Sequence, residues 1–294
     1  MRNISEDTIT QAVLAAMSGC SNDRLRTVMT SLVQHLHSFA REVRLTESEW
    51  GYAINFLTEV GHITDDKRQE FILLSDTLGL SMLTTTQNNR KPTECTEATV
   101  LGPFFVEGAP EYQNGEDISN GAAGLPCFVA GQVRGLHGEP VPGAKLEVWQ
   151  SDEDGNYDVQ YPEPRQAGEE HRGRGRIRTL PDGRFHFRSI LAEAYPIPHD
   201  GPVGRMLDAL GRHPWRPAHL HFWINADGYE PLITHVFRNG DKYLDSDAVF
   251  GVRSTLVADW IEHPPGVAPD GTPMDTPYYT LDYDFVLNPL GHTR

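Results

Sequence analysis

The hydrophobic pattern of this chain changes period once, at Asn88-Asn89, and that change limits the fold to helices followed by short strands. From Asp23 onward, Leu25, Val28, Met29, Leu32, Leu36 and Phe39 recur at three- and four-residue steps, the apolar stripe of an amphipathic helix. Thr46 and Glu49 have the spacing of a capping box ahead of Trp50, Ala53, Ile54, Leu57 and Val60, with Gly61 as a stop. Phe71, Leu74, Leu78 and Met82 predict a third helix. Most of these positions are expected in the core, and a helical domain this small has an apolar face with which to pair with a second copy.

Beyond Asn89, turn signals separate short β-branched or aromatic runs. Phe128–Val133 and Lys145–Trp149 flank Gly138-Glu139-Pro140-Val141-Pro142-Gly143. Pro181-Asp182-Gly183 divides Arg176–Leu180 from Arg184–Ile190, and Ala226-Asp227-Gly228 divides Leu220–Asn225 from Leu232–Phe237. Leu281, Tyr283, Phe285 and Leu287 alternate near the end. Strands punctuated in this way predict a sandwich rather than βαβ units. Glu107–Pro126 reads as a long surface loop, and Arg172–Arg178, alternating Arg with Gly or Ile, as a solvated strand face.

Charge narrows the partners. With 25 Lys and Arg against 41 Asp and Glu, the net charge is −16, which argues against nucleic acid or an anionic membrane surface. No apolar run is long enough for a membrane span, and Met1–Thr10 is polar and acidic, unlike a signal peptide. Cys20, Cys95 and Cys127 are odd in number and widely spaced, so neither a disulfide framework nor a zinc knuckle is expected. A cytoplasmic location fits all of this.

The chain lacks a nucleophile elbow, a P-loop, an H-E-x-x-H helix and a dinucleotide-binding glycine motif. The informative segment is Arg216-Pro217-Ala218-His219-Leu220-His221-Phe222. On a strand His219 and His221 share one face, where two imidazoles can meet one metal. Two histidines also fall on one strand face by chance, and the pair leaves the other ligands unnamed. A carboxylate completing a ferrous site is one option. Tyr157, after the turn Asp154-Gly155-Asn156, and Tyr195, in a Pro-stiffened loop, are another, although a buried Tyr is usually a packed ring with a bonded hydroxyl.

The run from Val100 to about Leu256 resembles the intradiol ring-cleavage dioxygenases. The matching stretches are Leu101-Gly102-Pro103-Phe104-Phe105, Gly131–Gln150, Asp154–Gln160, Tyr195–Leu207, Arg216–Phe222 and Gly240–Leu244. The helical part is similar to that family's helical domain. Within the family, Tyr195-Pro196-Ile197-Pro198-His199-Asp200-Gly201-Pro202-Val203-Gly204-Arg205-Met206-Leu207 resembles the hydroxyquinol-cleaving branch.

The resemblance implies an α+β chain: a helical dimerisation domain over residues 1–98, then an antiparallel β-sandwich catalytic domain over 99–294. It implies one non-haem Fe(III) per chain, held by Tyr157, Tyr195, His219 and His221. Arg216, Tyr195 and His235 are implied in catalysis, His235 standing where catechol-cleaving members carry Gln. The implied ring pocket comprises Leu73, Asp76, Val100, Leu101, Gly102, Ile197, Pro198, Arg216 and Val249. Implied partners are a small aromatic diol or triol, O2, a second copy of the chain and a phospholipid between helical domains. Catechol or chlorocatechol is the alternative substrate. The interval between Tyr157 and Tyr195 departs from the family pattern, with Gly168–Arg176 as the expected insertion. Two rival readings are a non-catalytic transthyretin-like sandwich module, suggested by Gly131–Ala144, and a ferrous 2-His-1-carboxylate oxygenase.

Overall fold

Asn22 opens the longest helix, its Oδ1 accepting the backbone N–H of Leu25 at 2.9 Å. The computed structural model describes residues 2–65, 68–161 and 171–291. The chain divides into two compact units, Met1–His62 and Ile63–Arg294. Five helices come first: α1 (Ile9–Ala16), α2 (Asp23–Glu42), α3 (Glu47–Ile63), α4 (Glu70–Thr77) and α5 (Leu80–Asn88). Thr46 and Glu49 form the expected box at the start of α3: Thr46 N donates to Glu49 Oε2 at 2.9 Å and Glu49 N to Thr46 Oγ1 at 3.3 Å. The helix runs two residues past Gly61.

Two expectations for the helices need correction. Most of the α2 and α3 stripe is not core: Leu25, Val28, Leu32, Leu36 and Phe39, and Trp50, Ile54 and Leu57, are exposed, while Val60 is buried as expected. The third helix is also two helices. Gly79, at φ 75°, takes the left-handed conformation that non-Gly residues resist, and it divides α4 from α5.

The strands follow in the order β1 (Pro126–Gly135), β2 (Lys145–Gln150), β3 (Arg174–Arg178), β4 (Arg184–Ile190), β5 (Tyr195–Pro196), then α6 (Pro202–Ala209). After it come β6 (Trp215–Arg216), β7 (His219–Asn225), β8 (Leu232–Arg238), β9 (Val257–Ala258) and β10 (Trp260–His263). The last are β11 (Gly266–Val267), β12 (Pro273–Met274), β13 (Tyr278–Asp282) and β14 (Phe285–Leu287). One sheet has the order β3-β2-β7-β8-β9; the other is built on β1, which pairs antiparallel with β4 and parallel with β13 and then β14. Most pairings are antiparallel, with β8–β9 a further parallel one. The late alternation spans two strands, because β13 and β14 meet different halves of β1.

The sheets share one core. Val129, Val133, Phe185, Phe187, Leu281 and Phe285 from one meet Leu146, Val148, Ile177, Leu220, Phe222, Ile224 and Val236 from the other. Cutting any of the Leu, Ile or Phe side chains among these to Ala would cost about 2–5 kcal/mol. Since strand side chains alternate, burying Leu220, Phe222 and Ile224 inward turns His219, His221 and Trp223 to the opposite face. A one-residue slip would exchange the two sets, so the core itself aims the histidines.

Two segments are less exposed than expected. Within Glu107–Pro126, Ala109 and Ile118 are buried, and the loop bonds along β3 and β4: Tyr112 N to Arg176 O at 2.8 Å and Ile118 N to Arg188 O at 2.9 Å. Arg172 and Arg174 are buried as well, so Arg172–Arg178 is not a solvated face. The expected insertion, Gly168–Arg176, lies partly outside the described residues.

Candidate metal centre

His221 sits between Trp149 on β2 and His235 on β8 in the sheet register, and His219 opposite Phe237. All five side chains project from the outer face of that sheet. The Leu101–Phe105 segment lies across it: Phe105 packs edge-on against Trp149 and Trp223, and Phe104 stacks on Tyr157 at 4.5 Å. Gly102, at φ 79°, backs onto His221; a Cβ there would lie 3.1 Å from His221 Cε1.

Tyr157 reaches this face from a tight loop. Asp152 Oδ1 accepts the N–H groups of Asp154 and Asn156 at 3.1 and 3.0 Å, and Tyr157 N donates to Gln160 Oε1 at 2.8 Å. Tyr195 arrives on β5, paired directly with Arg216 of β6. Thus the Pro-rich loop and the arginine ahead of the histidines are joined by backbone pairing.

Three of the expected ligand atoms converge. His219 Nε2 and His221 Nε2 are 3.1 Å apart, and Tyr157 Oη lies 3.0 Å from His221 Nε2 and 3.5 Å from His219 Nε2. The Tyr195 ring is 5.2 Å from that of Tyr157 and 5.6 Å from that of His219. Its Oη accepts a hydrogen bond from Arg216 Nη1 at 3.3 Å. His219 Nδ1 can only donate to Pro217 O, at 2.7 Å, which leaves a bare lone pair on Nε2. His235 Nε2 lies 2.8 Å from His221 Nδ1, and His219, His221 and His235 are the one group of metal-type ligands found among the described residues.

The electrostatics suit a cation. Burial, then Arg216, pushes the His219 imidazole down to about 3, and burial also holds His221 and His235 well below the usual histidine range. All three are therefore neutral. Burial and the neighbouring Tyr195 raise the Tyr157 phenol well above its usual value, a preference that a bound cation reverses. Two neutral imidazole nitrogens and the Tyr157 phenol oxygen, packed together, fit a bound cation better than they fit each other.

Arg216 is buried beside them. Burial opposes its charge, but Asp247 holds its pKa raised, accepting Nε at 3.0 Å and Nη2 at 3.3 Å. Asp247 in turn accepts the N–H groups of Val249 and Gly251 at 3.3 and 2.9 Å. Despite its own burial, Arg216 keeps that carboxyl below the usual carboxylate range.

A cavity of about 500 Å³ adjoins the centre, lined by Leu73, Asp76, Phe104, Gly155, Asn156, Ile197 and Pro198 among others. Leu73, Asp76, Ile197 and Pro198 therefore meet as expected. Gly102 backs His221 instead, and Val100, Leu101, Arg216 and Val249 are not among its lining residues. A larger groove of about 950 Å³ on the other sheet contains none of the expected residues. Asp247, Phe104, Asp158 and Arg174 make contacts at this site to which no motif or spacing in the sequence points. A buried arginine needs an acidic partner, but 41 acids gave no way to choose one.

Comparison with known proteins agrees with this geometry. The dioxygenase family model matches residues 100–289, and the model for the catechol dioxygenase N terminus matches residues 22–96. The 6-chlorohydroxyquinol 1,2-dioxygenase of Cupriavidus pinatubonensis is 59% identical over 98% of this chain and 99% of its own. The hydroxyquinol 1,2-dioxygenase of Nocardioides simplex is 50% identical over 97% and 96%. The crystal structure of hydroxyquinol 1,2-dioxygenase from Pseudomonas putida DLL-E4 superposes with a TM-score of 0.89 at 46% identity, covering 97% of this chain and 98% of that one. Among the described residues, no helix is long and apolar enough to cross a membrane.

Proposed function

The chain belongs to the intradiol ring-cleavage dioxygenases, an iron-dependent family, and we propose that it cleaves hydroxyquinol (1,2,4-trihydroxybenzene) between its adjacent hydroxyls. Both atoms of O2 enter the product, 3-hydroxy-cis,cis-muconate or its tautomer maleylacetate. All atoms of the ring and of oxygen are retained, so no external reductant is needed.

One ferric ion per chain would be held by Tyr157, Tyr195, His219 and His221. When bound, it acts as a Lewis acid that favours the deprotonated form of the two adjacent substrate hydroxyls. Tyr195 Oη, held as a phenolate, would take one of those protons. Arg216, always charged and already bonded to Tyr195 Oη, then faces the negative charge that develops on the ring. Phe104 and Ile197 give the flat ring apolar walls, and Tyr157 remains packed beneath Phe104.

The substrate assignment rests on Asp76, whose buried carboxyl lines the cavity. There it can accept a hydrogen bond from the third hydroxyl. Catechol lacks that group and would leave the buried carboxyl with Ser81 as its hydrogen-bond partner and one bond short, a cost of about 1–3 kcal/mol. Oxygen uptake with hydroxyquinol and catechol tests the reading: hydroxyquinol should be preferred, and Asp76→Ala should reduce hydroxyquinol turnover while sparing catechol. Wild-type preference for catechol would overturn it. The name of the 59%-identical relative supports a second reading, 6-chlorohydroxyquinol, which the same assay compares directly.

A helical part to residue 98 and a catalytic part from residue 99 are supported by family matches that end at 96 and resume at 100. The exposed α2 stripe supports a homodimer formed through the helices. A lipid among those apolar side chains and a cytoplasmic location complete the proposal.

A further inference from the structure

We infer that Arg174 is a positioning residue for Tyr157, fixing that phenol by tying together the segments on two sides of its ring. The inference rests on the reading of Tyr157 as a metal ligand. Arg174 lies on β3 and is 1% exposed. Its Nε donates to Asp158 Oδ2 at 2.8 Å and its Nη2 to Asp158 Oδ1 at 2.6 Å. The same Nη2 donates to Phe104 O at 2.8 Å.

Asp158 is the residue after Tyr157, and Phe104 is the residue stacked on the Tyr157 ring. One planar guanidinium thus holds the backbone beside the phenol and the residue covering it. Both side chains of the pair are only 2% exposed, so it is an ion pair removed from water. Such pairs add little net stability, because desolvation offsets much of their attraction. What a guanidinium bonded through Nε and Nη2 does provide is fixed geometry, which a lysine cannot reproduce. Tyr157 needs it, because it sits in a loop rather than on a strand, and a shift of a few tenths of an ångström would change any bond to a metal.

The test compares the iron-loaded parent with Arg174→Lys and with the double variant Arg174→Met/Asp158→Asn, which leaves no stranded charge. The parent should show a visible tyrosinate-to-ferric charge-transfer band whose resonance Raman spectrum resolves two phenolates. In the double variant the band should shift and weaken, the Tyr157 modes should broaden, and iron should bind about 10–100-fold more weakly. Arg174→Lys should fall between the two. Circular dichroism melts of the apo forms report folding separately. A folded double variant with the parent's spectrum and iron affinity overturns the inference. If the double variant does not fold, an unchanged spectrum in Arg174→Lys does the same. A parent with no band at all overturns the iron reading, and the inference with it.

Discussion

His221 and His235 face each other across the β7–β8 pairing with Nδ1 and Nε2 2.8 Å apart, both rings buried. One of those nitrogens must carry the shared hydrogen. If His235 carried it, His221 would hold its own proton on Nε2 and could not bind a metal. Ligation therefore requires His221 Nδ1 to donate and His235 Nε2 to accept.

His235→Leu should consequently lower ferric affinity about 10–100-fold, the usual cost of losing a hydrogen-bond partner to a ligating imidazole. His235→Gln, whose side-chain oxygen can accept, should recover most of it. Titration of the apo protein with iron measures both; equal loss in the two variants would make His235 a packing residue only.

Arg216→Ala should keep the charge-transfer colour and lower kcat about 10²–10³-fold, since Arg216 faces charge that builds after substrate binds. The same change strands Asp247 in the interior, at about 3–5 kcal/mol of stability. Arg216→Ala/Asp247→Ala should regain stability without regaining kcat. Stopped-flow turnover beside denaturant melts separates the two effects, and an unchanged kcat in the single variant would remove Arg216 from the chemistry.

The α2 stripe gives a third expectation. If Leu32 and Leu36 are covered by a second copy, Leu32→Glu/Leu36→Glu should convert the protein to a monomer. Sedimentation velocity at micromolar concentration decides it: a wild-type monomer would leave the exposed stripe without that partner.

What the sequence made legible was local. Strand alternation placed His219 and His221 on one face, and the Thr46–Glu49 spacing placed a helix start; each depends on residues within a few positions. What it hid was relational. Asp247 meets Arg216 across 31 residues, and Arg174 meets Phe104 across 70, with no period to mark either pair. The Arg-Gly alternation of Arg172–Arg178 even pointed outward, because a run of charge reads as solvent-facing until its buried partner is known. The α2 stripe misled differently: periodicity shows that a helix face is apolar, and not what covers it.

Asp76 gives the pH prediction. Burial raises its pKa above the ordinary carboxyl value of 3.8, with Ser81 and Arg216 only partly opposing it. The folded state therefore binds a proton more tightly than the unfolded chain does. Stability should fall as pH rises from about 3.8 to the raised folded value, by about 1.4 kcal/mol per pH unit across that window. Asp76→Asn keeps the shape and removes the titration, so it should match the parent in acid and exceed its stability above the window. Urea unfolding of both apo proteins across this range measures the difference. Parallel pH profiles would mean that Asp76 ionises as freely in the fold as in water, and the cost invoked against catechol would lose its basis.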